Sequence, residues 1–391
     1  MRYYIIAGEA SGDLHGSNLI KGLRMEDADA EFRLWGGQMM NEAATCPLAG
    51  EDPFRYTLEP VKVLVHDYRE TAVMGFTDVL LKLGKIACNF IECIKDIRRW
   101  KPDVVILIDY PGFNLQIASW CHLKHIKVFY YIAPKTWASR SYRNRRLKRV
   151  VDKLFIIFPF EKSYFKAREI PFVYKGNPLI DAVDNHKYER VVDGDYVALL
   201  PGSRKGEISR MMPILMQIAD LTGYKFVIAG APSRSESDYQ KYIQGHKNVQ
   251  LVFGRTYDVL KYANSAVINS GTASLEAALI GTPQIVCWNT SELTYWIATR
   301  VLKVQKHIRF ISLGNLIADD LIFRELIQDA FRCEEVAREL GMLRRPDYRS
   351  KMIEGYDHIR ALLGGSGASR AVAAAMISEL NGTATESEEQ A

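Results

Sequence analysis

Short runs of β-branched and aromatic residues alternate with helical patterns along most of the chain, and no other feature limits its fold so tightly. A first series occupies residues 3–7, 104–108, 128–132 and 154–158. A second begins at Tyr196 and occupies 196–200, 226–229, 249–252, 266–269 and 284–287. Runs that are apolar on both faces must be covered on both, which calls for parallel sheets layered by helices. The polar, charged stretch 181–195 separates the two series and reads as a linker. The expected class is therefore α/β, with two doubly wound Rossmann-like domains facing a central cleft. Ligands of such folds sit at the carboxyl ends of the strands. The expected segments are 1–180, 195–345, C-terminal helices over 346–380 that pack back on the first domain, and a polar, acidic tail over 381–391 expected to be disordered.

Size and charge agree with this division. A chain of 391 residues is long for one core. The net charge, 51 minus 46 or +5, makes no demand for nucleic acid. Six cysteines without a CxxC pair read as reduced residues of a cytosolic protein. No basic-then-apolar leader opens the chain, and no apolar run approaches the ~20 residues that cross a bilayer. The expectation is a soluble or peripheral protein.

Two stretches of the second series have the chemistry of an anion site. Asn269-Ser270-Gly271-Thr272-Ala273-Ser274-Leu275-Glu276 reads as a strand end, a tight turn and a helix closed by Gly281 and Pro283. Small residues at a helix start leave backbone N–H groups for a diphosphate. Glu276, one turn further on the face of Thr272, can accept hydrogen bonds from ribose hydroxyls. The ordinary alternative is a capped helix with a surface Glu. Gly202-Ser203-Arg204, after Leu199-Leu200-Pro201, offers a hydroxyl for a phosphate oxygen and a planar bidentate cation for a leaving diphosphate. A basic surface loop is its alternative.

In the first series, Gly8-Glu9-Ala10-Ser11-Gly12-Asp13 joins a strand to a helix without forming GxGxxG. It reads either as a loop that lets a sugar or phosphate approach the backbone or as a tight turn. Asp109, in Ile108-Asp109-Tyr110-Pro111-Gly112-Phe113-Asn114, ends a fully apolar strand. A general base needs such a rigid, half-buried setting. A helix-capping Asp is the competing reading.

Other patterns point less firmly to chemistry. Asp27-Ala28-Asp29 and Asp193-Gly194-Asp195 do not follow apolar strands, and His122 and His125 lack further ligands, so no metal is expected. The apolar strip with Val73, Met74, Phe76, Leu80 and Leu83, broken by Lys82 and Lys85, suits a membrane interface or a core-facing helix. Arg140, Arg143, Arg145, Arg146, Lys148 and Arg149 form a run without acids; a single tyrosine, Tyr142, argues against a base-stacking surface.

Taken in order, these motifs resemble the lipid-A-disaccharide synthase family of GT-B glycosyltransferases. The likeness includes Ala72-Val73-Met74-Gly75-Phe76, Phe158-Pro159-Phe160-Glu161-Lys162 and Gly176-Asn177-Pro178-Leu179, and fades beyond Asn315-Leu316. It implies an inverting, metal-independent enzyme without a cofactor. Such an enzyme transfers 2,3-diacylglucosamine from UDP-diacylglucosamine to diacylglucosamine 1-phosphate, giving a β-1,6 disaccharide 1-phosphate and UDP. By the same resemblance Asp109 is the base and Arg204 a catalytic donor-site Arg. Gly202, Ser203, Ser270, Gly271, Thr272, Glu276 and Asn315 bind UDP, and Glu9, Ser11, Gly12 and Asn114 meet the acceptor sugar. Val73, Met74, Phe76, Leu80 and Leu83 contact acyl chains at the inner face of the cytoplasmic membrane. The resemblance implies no nucleic-acid partner and allows a homodimer. The chain departs from the family at Gly112, where a second acid is common, and at Pro134-Lys135-Thr136-Trp137-Ala138-Ser139, where Ser139 replaces a Trp.

Two other functions fit parts of the pattern. One is a UDP-N-acetylglucosamine 2-epimerase-like isomerase, which would have no use for the strip at 73–83. The other is a non-enzymatic nucleotide-sugar or RNA-binding protein using the basic run, which would have no use for Asp109.

Overall fold

A computed structural model describes residues 1–47, 63–68, 79–290 and 309–383, with side chains left aside at 79–83. The chain divides into two compact units, Met1–Ala182 with Ser366–Ala391, and Val183–Gly365.

The first unit alternates β1 (Arg2–Ala7), α1 (Ala10–Glu26), β2 (Glu31–Gly36), α2 (Gln38–Thr45), β3 (Leu64–Asp67), α3 (Val79–Trp100), β4 (Val104–Ile108), α4 (Pro111–Leu123), β5 (Lys127–Tyr131), α5 (Arg143–Val150), β6 (Lys153–Ile156), α6 (Pro159–Lys166), β7 (Phe172–Tyr174) and α7 (Pro178–Asp184). Its sheet runs β3-β2-β1-β4-β5-β6-β7, parallel throughout. β4, Val104-Val105-Ile106-Leu107-Ile108, is fully buried. Each such side chain contributes about 1.5–3 kcal/mol through burial. β2 hides a polar partner instead. Arg33 donates to Asp96 of α3 at 2.6 and 3.0 Å, and Tyr4 donates to the same carboxylate at 2.9 Å.

The second unit continues with β8 (Val197–Leu200), α8 (Lys205–Thr222), β9 (Phe226–Gly230), α9 (Ser237–Ile243), β10 (Val249–Phe253), α10 (Thr256–Lys261), β11 (Ser265–Asn269), α11 (Thr272–Ile280), β12 (Gln284–Trp288), α12 (Leu313–Ala318), β13 (Glu325–Ile327), α13 (Cys333–Leu343) and α14 (Pro346–Leu363). Its parallel sheet runs β10-β9-β8-β11-β12-β13. Both orders reverse direction beside their first strand, the arrangement of a doubly wound nucleotide-binding sheet.

The C-terminal helices do not form the single segment expected over 346–380. α14 belongs to the second unit, where the Tyr356 hydroxyl donates to the Thr282 carbonyl at 3.0 Å. The final helix, α15 (Ala368–Leu380), returns to the first unit and packs on α1. Asp181 fixes its start by accepting from the Gly367 and Ser369 N–H groups at 2.5 and 2.8 Å. Arg370 pairs with Glu26 at 2.6 Å. The boundary falls at 182/183, within the expected stretch 181–195, where α7 runs on to Asp184. The tail beyond residue 383 lies outside the described residues.

Candidate active site

In the first unit the site groups gather at the carboxyl ends of β1, β4 and β5, which are neighbours in the sheet. Asp109 and Tyr110, between β4 and α4, have φ of 42° and 47°, and Ile132 at the end of β5 has 62°. Left-handed backbone costs a non-glycine residue about 1–2 kcal/mol, and a β-branched residue tolerates it least. Surrounding contacts must hold such strain. Asn114 donates from Nδ2 to the carbonyls of Asp109 at 2.8 Å and Ile108 at 3.2 Å. The buried Tyr130 hydroxyl donates to the Asp109 carbonyl at 2.6 Å.

This turn separates the two readings of Asp109. Tyr110, not Asp109, occupies the N-cap position of α4, and no side chain caps that helix. Burial pushes the Asp109 carboxyl up to about 6; Lys135 opposes the shift and Glu9 adds to it. Glu9 stands exposed at the start of α1 without making a side-chain cap bond. The result is a half-buried carboxylate that is mostly ionised at neutral pH and more basic than a free Asp.

Two expected sugar contacts have structural roles. The Asn114 amide nitrogen serves the backbone, and its buried Oδ1 has no partner in the described structure. Gly12 lets α1 approach the sheet, since a Cβ there would stand 3.1 Å from that of Ala7. Ser11 lies half-buried in the first turn of α1. Asp13, in the same motif, is buried and accepts from the N–H groups of Gly37, Met39 and Met40 at 3.0–3.2 Å, closing the start of α2. Glu161 was also unassigned by sequence reasoning. It is buried and accepts from Trp137 Nε1 and from the Ile157 and Phe158 N–H groups, and burial raises it to about 7.

In the second unit the groups lie at the carboxyl ends of the adjacent strands β8 and β11. Gly202 has φ of 109°, and a Cβ there would stand 2.5 Å from Glu207 Oε2. The loop's N–H groups have a partner within the turn. Those of Ser203 and Arg204 donate to Glu207 Oε2 at 3.0 and 3.2 Å. The Arg204 guanidinium, 70% exposed, donates from Nη1 to Glu207 Oε1 at 2.8 Å. On β11, Asn269 is buried and its Oδ1 has no partner in the described structure. Gly271 stands exposed before Thr272, the first residue of α11. Glu276 is half-buried, accepts from the Tyr257 hydroxyl at 3.0 Å and is raised by burial.

The Asn315 side chain is engaged within its own unit. Buried, it donates to the Phe323 carbonyl and Glu325 Oε1, and accepts from the Ile322 and Phe323 N–H groups, all within 3.3 Å. Glu325 in turn accepts from the Ile311 and Ser312 N–H groups at 2.9 Å. The Ser270 hydroxyl donates to the Ile311 carbonyl at 3.1 Å, so this network borders the β11 turn.

The remaining expectations divide. Val73, Met74 and Phe76 lie outside the described residues, as do the side chains of Leu80 and Leu83 in α3. No described helix is long and apolar enough to cross a membrane. Both Asp-x-Asp strings have structural partners: Asp27 accepts from the N-terminal ammonium at 2.8 Å, and Asp195 pairs with Arg344 at 2.9 Å. In the basic run, Arg146 bonds Ser119 and Lys148 pairs with Glu169.

Comparison with known proteins adds identity to this geometry. A family model described as lipid-A-disaccharide synthetase matches residues 3–370. A lipid-A-disaccharide synthase from Trichlorobacter lovleyi is 33% identical, covering 96% of this chain and 97% of its own. One from Syntrophus aciditrophicus is 36% identical, covering 94% of this chain and 95% of its own. Among solved structures, a UDP-N-acetylglucosamine 2-epimerase from Neisseria meningitidis bound to UDP-GlcNAc superposes with a TM-score of 0.62. It is 15% identical and covers 96% of this chain and 100% of that one. That likeness is one of fold, the GT-B arrangement of two Rossmann-like domains.

Proposed function

We propose that this chain, which belongs to the lipid-A-disaccharide synthetase family, joins two acylated glucosamines by inverting glycosyl transfer. The donor is UDP-2,3-diacylglucosamine and the acceptor is 2,3-diacylglucosamine 1-phosphate. The products are the β-1,6 disaccharide 1-phosphate and UDP. The epimerase alternative rests on fold alone, at 15% identity.

The catalytic assignment rests on one observation: Asp109 sits in a strained, doubly braced turn with a carboxyl raised to about 6 and no capping role. In this mechanism Asp109 orients the acceptor 6-hydroxyl and takes its proton as the oxygen attacks the anomeric carbon. The bond to the diphosphate breaks on the opposite face. Arg204 and the start of α11 meet the charge that develops on the leaving UDP. Glu276 accepts from the ribose hydroxyls through the carboxylate oxygen that Tyr257 leaves open. Membrane contact through Val73, Met74, Phe76, Leu80 and Leu83 belongs to the same proposal, because both substrates carry acyl chains. Replacing Val73, Met74 and Phe76 by Ser should release the protein from anionic vesicles while UDP affinity is kept.

Mass spectrometry of a reaction containing both acylated substrates tests the activity. Disaccharide 1-phosphate and UDP in equal amounts support it. Isomerised UDP-sugar without disaccharide would instead favour the epimerase.

A further inference from the structure

The β8–α8 turn contains a carboxylate that the reaction does not call for. Glu207 is the third residue of α8, and both its oxygens are engaged in the turn. Oε2 accepts from the Ser203 and Arg204 N–H groups, and Oε1 accepts from the Arg204 guanidinium. A Glu at this position commonly closes a helix start. Here the same carboxylate also reaches the side chain of the N-cap residue, Arg204. That side chain is 70% exposed and Glu207 only 20%, so the more enclosed partner anchors the more exposed one. Gly202 makes room for this arrangement, since any Cβ there would overlap Glu207 Oε2.

We propose that Glu207 is a positioning residue for the transfer step, holding the Arg204 guanidinium ready for the leaving diphosphate. The inference rests on the reading of Arg204 given above. A free arginine side chain loses rotamer freedom when it is fixed. Glu207 removes part of that cost before the transition state forms, and such preorganisation acts on the chemical step. The salt bridge itself lies at the surface and adds little to stability. Its consequence is therefore expected in rate.

Glu207→Gln separates the two duties of the carboxylate. An amide has one acceptor oxygen, so it can keep the turn's N–H groups or the guanidinium but not both. With the oxygen on the N–H groups the helix start stays closed and Arg204 loses its bond to Glu207. The test is a double-mutant cycle with Glu207→Gln, Arg204→Ala and the pair, measuring kcat, UDP affinity and melting temperature. Glu207→Gln should lower kcat roughly tenfold, with UDP affinity within about twofold of wild type and melting almost unchanged. In the Arg204→Ala background it should have no further effect on kcat. Equal losses in both backgrounds, or a lower melting temperature with unchanged kcat, would reduce Glu207 to a helix cap. Tighter UDP binding at unchanged kcat would make it a competitor of the diphosphate and overturn the proposal. If Arg204→Ala alone leaves kcat intact, the reading of Arg204 fails first, and that outcome is distinct from the others.

Discussion

The Tyr130 hydroxyl, donated from β5, lies 2.6 Å from the main-chain carbonyl of Asp109 at the end of the neighbouring strand. Asn114 reaches the same carbonyl at 2.8 Å from within α4. Two side chains thus hold the main chain of one left-handed aspartate.

Tyr130→Phe removes one of these bonds without changing the ring's volume. It should cost about 0.5–1.5 kcal/mol of stability. Turnover should fall with it while UDP affinity is unchanged, because the strain is released on the acceptor side. Denaturant unfolding, calorimetry with UDP and rate measurements on one preparation check the three parts. An unchanged rate would mean that the Asp109 turn holds without Tyr130.

Glu276 should govern nucleotide affinity rather than rate. Glu276→Ala removes charged hydrogen bonds to the ribose, each worth about 1.5–3 kcal/mol. Calorimetric UDP binding should weaken accordingly, whereas Tyr257→Phe should have a smaller effect. No change in UDP affinity for Glu276→Ala would remove the ribose assignment.

Glu161 should shape how stability varies with pH. Burial raises its folded carboxyl to about 7, above the ordinary value of 4.5. A raised carboxyl means that the folded state binds more protons between those values, so stability declines as pH rises from about 4.5 to 7. Glu161→Gln should flatten that decline. Melting temperatures across this window check it, and an unchanged slope would mean that the three donors to Glu161 hold it ionised throughout.

How far the chain could be read in advance differs from one element to the next. β4 and β11 are fully buried, and the apolar runs Val104–Ile108 and 266–268 announce them. β2 could not be read this way, because Arg33 in its middle is matched by Asp96 sixty-three residues later. β3, β7 and β13 are short edge strands with half-exposed residues, so little apolar pattern marks them. At the site, Asp109 was legible from the apolar strand it ends. The strain at its turn was not, since Asn114 and Tyr130 create it from neighbouring elements. The partners of Asn315, which are Glu325 and the backbone at 322–323, become visible only once the chain folds. The spacing of Glu207 from Arg204 hinted at a helix cap, and only the side-chain geometry adds the hold on the guanidinium.

The most direct test of the central claim is the rate of disaccharide formation by wild type and Asp109→Asn across pH 5–8. With Asp109 as the base, wild-type kcat/KM should rise with pH to a plateau, with its midpoint near the carboxyl's value of about 6. Asp109→Asn should lose about 10²–10⁴ in rate, with UDP affinity and melting temperature near wild type. An Asp109→Asn enzyme that forms disaccharide within a few-fold of the wild-type rate would contradict the account and turn the search for the base to Glu9.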